Sequence, residues 1–400
     1  MSTPRTLGLP DRVRRVDVRT SRGSFAVLEA IPGIGACERK PALLVPGYTG
    51  SKEDFLAVLQ PRAAAGRRVV AIDMRGQYET PGPADPGAYA PAELAADIAS
   101  LAAAIGTDGR GVHLLGHSLG GLVARQAVLA QTAGISSLTL LGSGPGSLRG
   151  QRAARLRAVL ADLEKAGPAQ RARRVRELWE AELGPQAAAD GVPAPIIAFL
   201  RERMLRNSAE GLIAMGTYLL SCPDQTAALA GLGSLPVLVL YGENDDAWPP
   251  SVQDRMARRL GAQRVCIPAA THSPAVEAPE TTASTLTMFW NAAECSERRR
   301  KGGGPEAAAA SRAAGQEAAA AGASRAAGQD AEPPGPGSLA ADGGGSGAGG
   351  SGRTLGNGVS GNGVPGNGVP GNDAAPSTAA SPSQGRRGSA AAMPSGHRAR

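Results

Sequence analysis

Five short, unbroken apolar runs constrain this chain more than any other feature. Ala42–Val45, Val69–Ile72, Val112–Leu115, Leu138–Leu141 and Val237–Tyr241 stop at once on Pro46-Gly47, Asp73, Gly116, Gly142 and Gly242. A strand apolar at every position must be covered on both faces, as in a parallel sheet packed between helices. Helical patterns fall between the runs: Glu53–Ala65, Pro91–Ile105 with proline at the first helical position, Leu119–Gln131 and Ser251–Leu260. Two less apolar strands, Arg14–Val18 and Ser24–Ile31, open the chain, and Val265–Pro268 is a further apolar stretch. The fold class is α/β: a mostly parallel sheet with helices on both faces.

One interval breaks the alternation. Residues 146–230 carry helical patterns (Ala153–Lys165, Ala169–Leu183, Pro195–Arg206, Ala209–Leu220) and no convincing strand. An interval that long cannot be a bare loop. A helical lid over the C-terminal edge of the sheet, where open α/β sheets bind ligands, is the expectation.

The chain divides by composition near residue 297. All Phe, Trp, Tyr, Ile and Cys lie before Arg298; beyond it the sequence is almost wholly Ala, Gly, Ser, Pro, Asn and Arg, with short repeats such as Gly-Asn-Gly-Val. Residues 1–297 are expected to form one domain, and 298–400 a disordered tail with too little apolar surface to order itself. Of the net charge of +7, the tail holds +5 (11 Lys/Arg against 6 Asp/Glu), leaving +2 for the domain. The high pI therefore gives no reason to expect a nucleic-acid partner. The four cysteines have no metal or redox spacing. The N-terminus lacks the apolar run of a secretory signal, and no stretch reaches the 18 or so apolar residues of a membrane span. A cytoplasmic protein with reduced thiols is the default expectation.

Gly116-His117-Ser118-Leu119-Gly120 follows one apolar run and precedes a helical pattern. The bare G-x-S-x-G pattern is weak in so glycine-rich a chain, where chance yields about half a match. Its position between strand and helix makes it informative: such a turn thrusts Ser118 out at a helix N-terminus, and the glycines leave room for the sharp bend. A serine hydroxyl needs a base. The domain has three histidines. His113 lies within the strand, and His117, adjacent to Ser118, cannot easily turn back to its oxygen. His272, on a loop after Val265–Pro268, remains as the base. The acid that orients it should follow Tyr241, where Asp245 and Asp246 compete and spacing alone does not choose.

These segments together resemble the α/β-hydrolase family, in its lidded group of serine esterases and lipases. Gly242, Asp245 and Pro249 are similar to the family's Gly-x-x-Asp-x-x-x-Pro segment; Thr271-His272 with Glu277 and Pro279 to its late histidine segment; and Asp73-Met74-Arg75-Gly76 to its Asp-x-Arg-Gly. The resemblance covers about residues 25–293. It implies an eight-stranded sheet, favours Asp245 over Asp246, and assigns an oxyanion hole to the backbone N–H groups of Tyr48 and Leu119. Pro46-Gly47-Tyr48 stands where the family usually has His-Gly, Thr271 replaces a frequent glycine, and Tyr78 stands in a normally Gly-rich turn at the entrance.

The expected activity is hydrolysis of a small-molecule carboxylic ester or thioester through an acyl-enzyme, with no cofactor or metal. Tyr78, Met215, Tyr218 and Trp248 are candidates for an apolar pocket, as are Trp179 and Met204 in the insertion. A C–C bond hydrolase, lactonase or acyltransferase could use the same three residues. A non-catalytic binding protein on this fold is the alternative of another class, and it would typically have lost one of them.

Overall fold

The structure is a computed structural model and describes residues 2–33, 39–59, 65–106 and 109–302. Eight strands form one sheet in the order β1-β2-β4-β3-β5-β6-β7-β8. They are β1 Val13–Thr20, β2 Gly23–Ala30, β3 Ala42–Val45, β4 Val69–Ile72, β5 Val112–His117, β6 Ile135–Leu141, β7 Val237–Gly242 and β8 Gln263–Ile267. β1 pairs antiparallel with β2 and β2 antiparallel with β4; every later pairing is parallel.

Side chains alternate across the sheet, so each apolar run feeds two cores. Leu43, Val45, Val70, Leu114, Leu140 and Val239 face helices Pro91–Ile105, Leu119–Ala130 and Pro250–Leu260. Leu44, Ala71, Leu115, Leu141 and Leu240 face Phe55 and Leu59 on one side and the long helix Pro279–Gly302 on the other. β3, β4 and β5 are buried throughout because both faces are covered. The direction of strand addition reverses between β3 and β5, with Val45 opposite Gly116, so the loops leaving both strands emerge side by side at the C-terminal edge.

Between β6 and β7 the chain is helical. Gly150–Lys165, Pro168–Leu178, Ala194–Arg206 and Ala209–Ser221 are the longer helices, and Tyr78, Val175, Trp179, Phe199 and Leu200 build a third core among them. The single helix expected over Ala169–Leu183 instead loosens into a wide π turn at Trp179–Leu183 before Gly184–Ala189. Pro185 lacks an N–H, so the regular ladder cannot run through it. β6 begins three residues earlier than its apolar run, because Ser137 has a partner in the sheet: its hydroxyl lies 2.7 Å from His113 Nδ1. The last helix continues to Gly302, beyond the boundary expected at 297. Residues 303–400, most of the expected tail, lie outside the described residues, as do 60–64 at the end of the first expected helix. No described helix is long and apolar enough to cross a membrane.

Candidate active site

β5 ends at His117, and Ser118 takes φ 53°, ψ −119° before helix Leu119–Ala130 begins. Such a backbone is strained for a residue with a Cβ, and the surroundings must hold it. A Cβ on Gly116 would sit 2.2 Å from the Gly120 carbonyl oxygen, and one on Gly120 would sit 2.4 Å from that of Pro46. Backbone crosses backbone at both points, so only glycine fits. The Ser118 N–H donates to the Leu141 carbonyl (2.9 Å), and its own carbonyl accepts from Ser143 Oγ (2.8 Å).

His272 and Asp245 arrive from the ends of β8 and β7. His272 Nε2 lies 3.0 Å from Ser118 Oγ, and Nδ1 lies 3.0 Å from Asp245 Oδ1. With a carboxylate beside it, Nδ1 carries the proton, and Nε2 is left to accept from the serine hydroxyl. The same Asp245 oxygen accepts the Ala247 N–H (2.9 Å), and its other oxygen accepts from Gln253 Nε2 (2.9 Å). A buried carboxylate so furnished with donors has one orientation. Asp246 turns outward and takes a two-pronged bond from Arg152, at 2.8 and 2.6 Å. The geometry thus separates the two aspartates that spacing left equivalent.

The other histidines take supporting positions. His117 Nε2 donates to the His272 carbonyl (2.8 Å), and burial, reinforced by neighbouring His272, pushes its pKa down to about 3. His113 is fully buried, stacks on Trp290, and lies 3.1 Å from Glu294. Glu277 brackets the His272 loop: its carboxylate accepts from the Thr271 N–H, the Thr271 hydroxyl (2.6 Å) and the Ser273 N–H (3.0 Å).

The loop leaving β3 lies against Ser118. A Cβ on Gly47 would stand 3.1 Å from the Ser118 Cβ, so the chain approaches the serine as closely as glycine permits. Among the described residues, neither the Tyr48 nor the Leu119 N–H has an acceptor. The Tyr48 hydroxyl donates to the Leu212 carbonyl (2.9 Å), joining this loop to the helical insertion. Beneath the loop, Asp73 accepts from the Lys52 N–H (2.8 Å) and from Lys52 Nζ (2.6 Å), and Asp54 accepts from Arg203 Nη1 (2.8 Å).

A cavity of about 690 Å³ opens over Ser118 and His272. Leu148, Leu156, Val159, Leu163, Leu212 and Leu219 give it an apolar wall, with Arg152 and Arg155 among its polar residues. Ser2 also borders it, its carbonyl held by Arg203 Nη2 (2.7 Å). Of the candidate pocket residues, Met204 is in this wall; Tyr78, Met215, Tyr218, Trp248 and Trp179 are not, which corrects those assignments. Tyr78 meets Phe199 edge-on in the insertion's core, and Trp179 belongs to the same core. Met215 and Tyr218 face the main core, where helix Ala209–Ser221 packs on the sheet domain. Trp248 fills the space beside Gly144, and its indole N–H donates to the Gly146 carbonyl (3.1 Å). Periodicity identified these side chains as apolar and buried without indicating which of two apolar environments each faces. The cavity leucines carried no signal distinguishing them from core. Among the described residues no group of three or more His, Cys, Asp or Glu is gathered to hold a metal.

A sharp turn that presents a serine between strand and helix, a histidine and a carboxylate from successive strand ends, and a cavity over the serine and the histidine define a hydrolase of the α/β class. The chain belongs to the alpha/beta hydrolase family, whose pattern matches residues 42–285. It is 37% identical over 109 residues to the "Putative carbamate hydrolase RutD" of Variovorax paradoxus (strain S110). That match spans 27% of this chain and only 40% of the relative's length. Among solved structures, it is similar to a thermophilic esterase from Thermogutta terrifontis: 26% identity, TM-score 0.53, 70% of this chain and 99% of that one. It is also similar to a hydrolase from Pseudomonas aeruginosa PA01, at 25% identity and TM-score 0.53, over 69% of this chain and 98% of that one.

Proposed function

We propose that this hydrolase cleaves a small-molecule carboxylic ester, or the corresponding thioester, with Ser118 as nucleophile, His272 as general base and acid, and Asp245 as the orienting carboxylate. The observation that carries the reading is the pair of 3.0 Å contacts running from Ser118 Oγ through the imidazole to Asp245. Ser118 Oγ attacks the carbonyl carbon while its proton passes to His272 Nε2, and Asp245 stabilises the imidazolium. The oxyanion takes hydrogen bonds from the Tyr48 and Leu119 N–H groups, which have no acceptor among the described residues. The C–O bond then breaks, the leaving alcohol takes the proton from His272, and water repeats the sequence on the acyl-enzyme. Neither step calls for a cofactor or metal. Every group used lies within the expected 1–297 domain, and the helices of residues 146–230 serve as its lid.

The leucine-lined wall favours an apolar acyl group over acetate. The test is turnover of p-nitrophenyl esters of increasing acyl length by the wild type and Ser118→Ala. Saturable turnover with KM falling beyond acetate, and a loss of about 10⁴–10⁶ in kcat for the variant, is expected. Ester turnover by Ser118→Ala near the wild-type rate would remove the reading. The relative's description favours carbamates as a second substrate class, because a carbamate carbonyl undergoes the same attack. An aryl carbamate turned over faster than every ester would move the assignment there.

A further inference from the structure

The Tyr48 N–H can serve an oxyanion only if its peptide is held in one orientation. That peptide begins at the Gly47 carbonyl, whose oxygen accepts from the Gly50 N–H (3.1 Å) and from Gln77 Nε2 (3.0 Å). In a planar trans peptide the C=O and the following N–H point in opposite directions. Donors gripping the Gly47 carbonyl on one side therefore aim the Tyr48 N–H to the other.

The Gln77 side chain is itself fixed. It is buried, and its Oε1 accepts the Met74 N–H at 3.2 Å. Only one placement of the amide satisfies both neighbours. The reverse would set its NH₂ against the Met74 N–H and its oxygen against the Gly47 carbonyl. The backbone of Gln77 is clamped as well, its N–H donating to the Met74 carbonyl (2.9 Å) and its carbonyl accepting the Thr80 N–H (2.9 Å). A rigid turn after β4 thus reaches across to the loop after β3.

We propose that Gln77 is a positioning residue for the oxyanion hole, holding the Gly47–Tyr48 peptide with its N–H directed to the reacting oxygen. The inference rests on the Ser-His-Asp reading given under Proposed function. Gln77 acts in two ways through that peptide. It fixes the direction of the N–H, and by donating to the carbonyl it polarises the amide, making the N–H a better donor. Both effects matter most when negative charge develops on the substrate oxygen, so they lower the barrier without tightening ground-state binding.

The test compares wild type with Gln77→Met, which keeps volume and removes the donor, on a p-nitrophenyl ester and on an alkyl trifluoromethyl ketone. Addition of Ser118 Oγ to the ketone carbon, with the proton passing to His272, leaves an oxyanion in the hole. The expected result is a fall in kcat of about 10–100-fold, below the loss for deleting a donor outright, with KM within about twofold. Ketone affinity should fall by the same factor as kcat/KM, and selectively ¹⁵N-labelled Tyr48 should lose the downfield amide shift that the ketone induces in the wild type. If Gln77→Met melts early, Gln77→Glu carries the comparison, since it keeps the size and the contact to Met74 but, when ionised, has no donor. Wild-type kcat and ketone affinity in a folded variant, or a loss confined to KM, would overturn the proposal. Absence of Ser118-dependent turnover in the wild type would instead fault the underlying reading.

Discussion

Asp245 and Asp246 are adjacent in sequence, yet one is buried against His272 while the other is exposed against Arg152. Asp245→Asn should present an amide to Nδ1, favour the wrong tautomer and lower kcat by up to about 10⁴. Asp246→Asn loses a surface pair worth about 1 kcal/mol or less and should keep kcat within a few-fold. Steady-state kinetics on the two variants decides it; the reverse ranking would mean that Asp246 is the acid. The serine and histidine were legible in sequence because one lay in a patterned turn and the other survived elimination. Gln77 and Gln253 were not, since each acts by reaching a residue brought near only by the fold.

Glycine decides how closely two elements can approach, and the crossing of the β5 turn over the β3 loop is one such close approach at the site. A methyl at Gly120 would press on the carbonyl oxygens of Pro46 (2.4 Å) and Val45 (2.5 Å), both backbone and unable to swing aside. Gly120→Ala should therefore cost about 1–3 kcal/mol in urea unfolding and displace the loop that carries Tyr48, lowering kcat as well. An alanine variant with unchanged midpoint and turnover would contradict this contact. At this scale the strand ends were readable, because Gly, Pro and Asp end apolar runs for local reasons. The strand order and the π turn before Pro185 depend on packing and ladder geometry that an apolar pattern does not encode.

Across the whole molecule, β5 is tied to the last helix through a buried polar cluster. His113 lies 3.1 Å from Glu294, which also accepts from Arg67 at 2.6 Å. Burial pushes the His113 pKa down to about 4, against the pull of Glu294, so the native imidazole stays neutral where an unfolded one is charged. Between pH 6.5 and about 4 the unfolded chain binds the extra proton. This contribution to stability is complete above that window and is lost as pH falls through it. The wild-type Tm should thus drop more steeply from pH 6.5 to 4 than that of His113→Asn, which lacks the titrating group. Groups shifted the other way, such as buried Asp73, are present in both proteins and cancel in the comparison. Equal slopes would mean that His113 does not carry this linkage.

The proposed chemistry depends first on Ser118 being an activated nucleophile in an assembled oxyanion site. Its most direct test is reaction of the full chain with a fluorophosphonate, with the adduct located by peptide mass mapping. One adduct per chain is expected, on the peptide containing Ser118, formed in the wild type and absent from a Ser118→Ala protein with an unchanged circular-dichroism spectrum. A folded wild-type protein that takes up no label, or a Ser118→Ala variant that is labelled at the same rate, would contradict it.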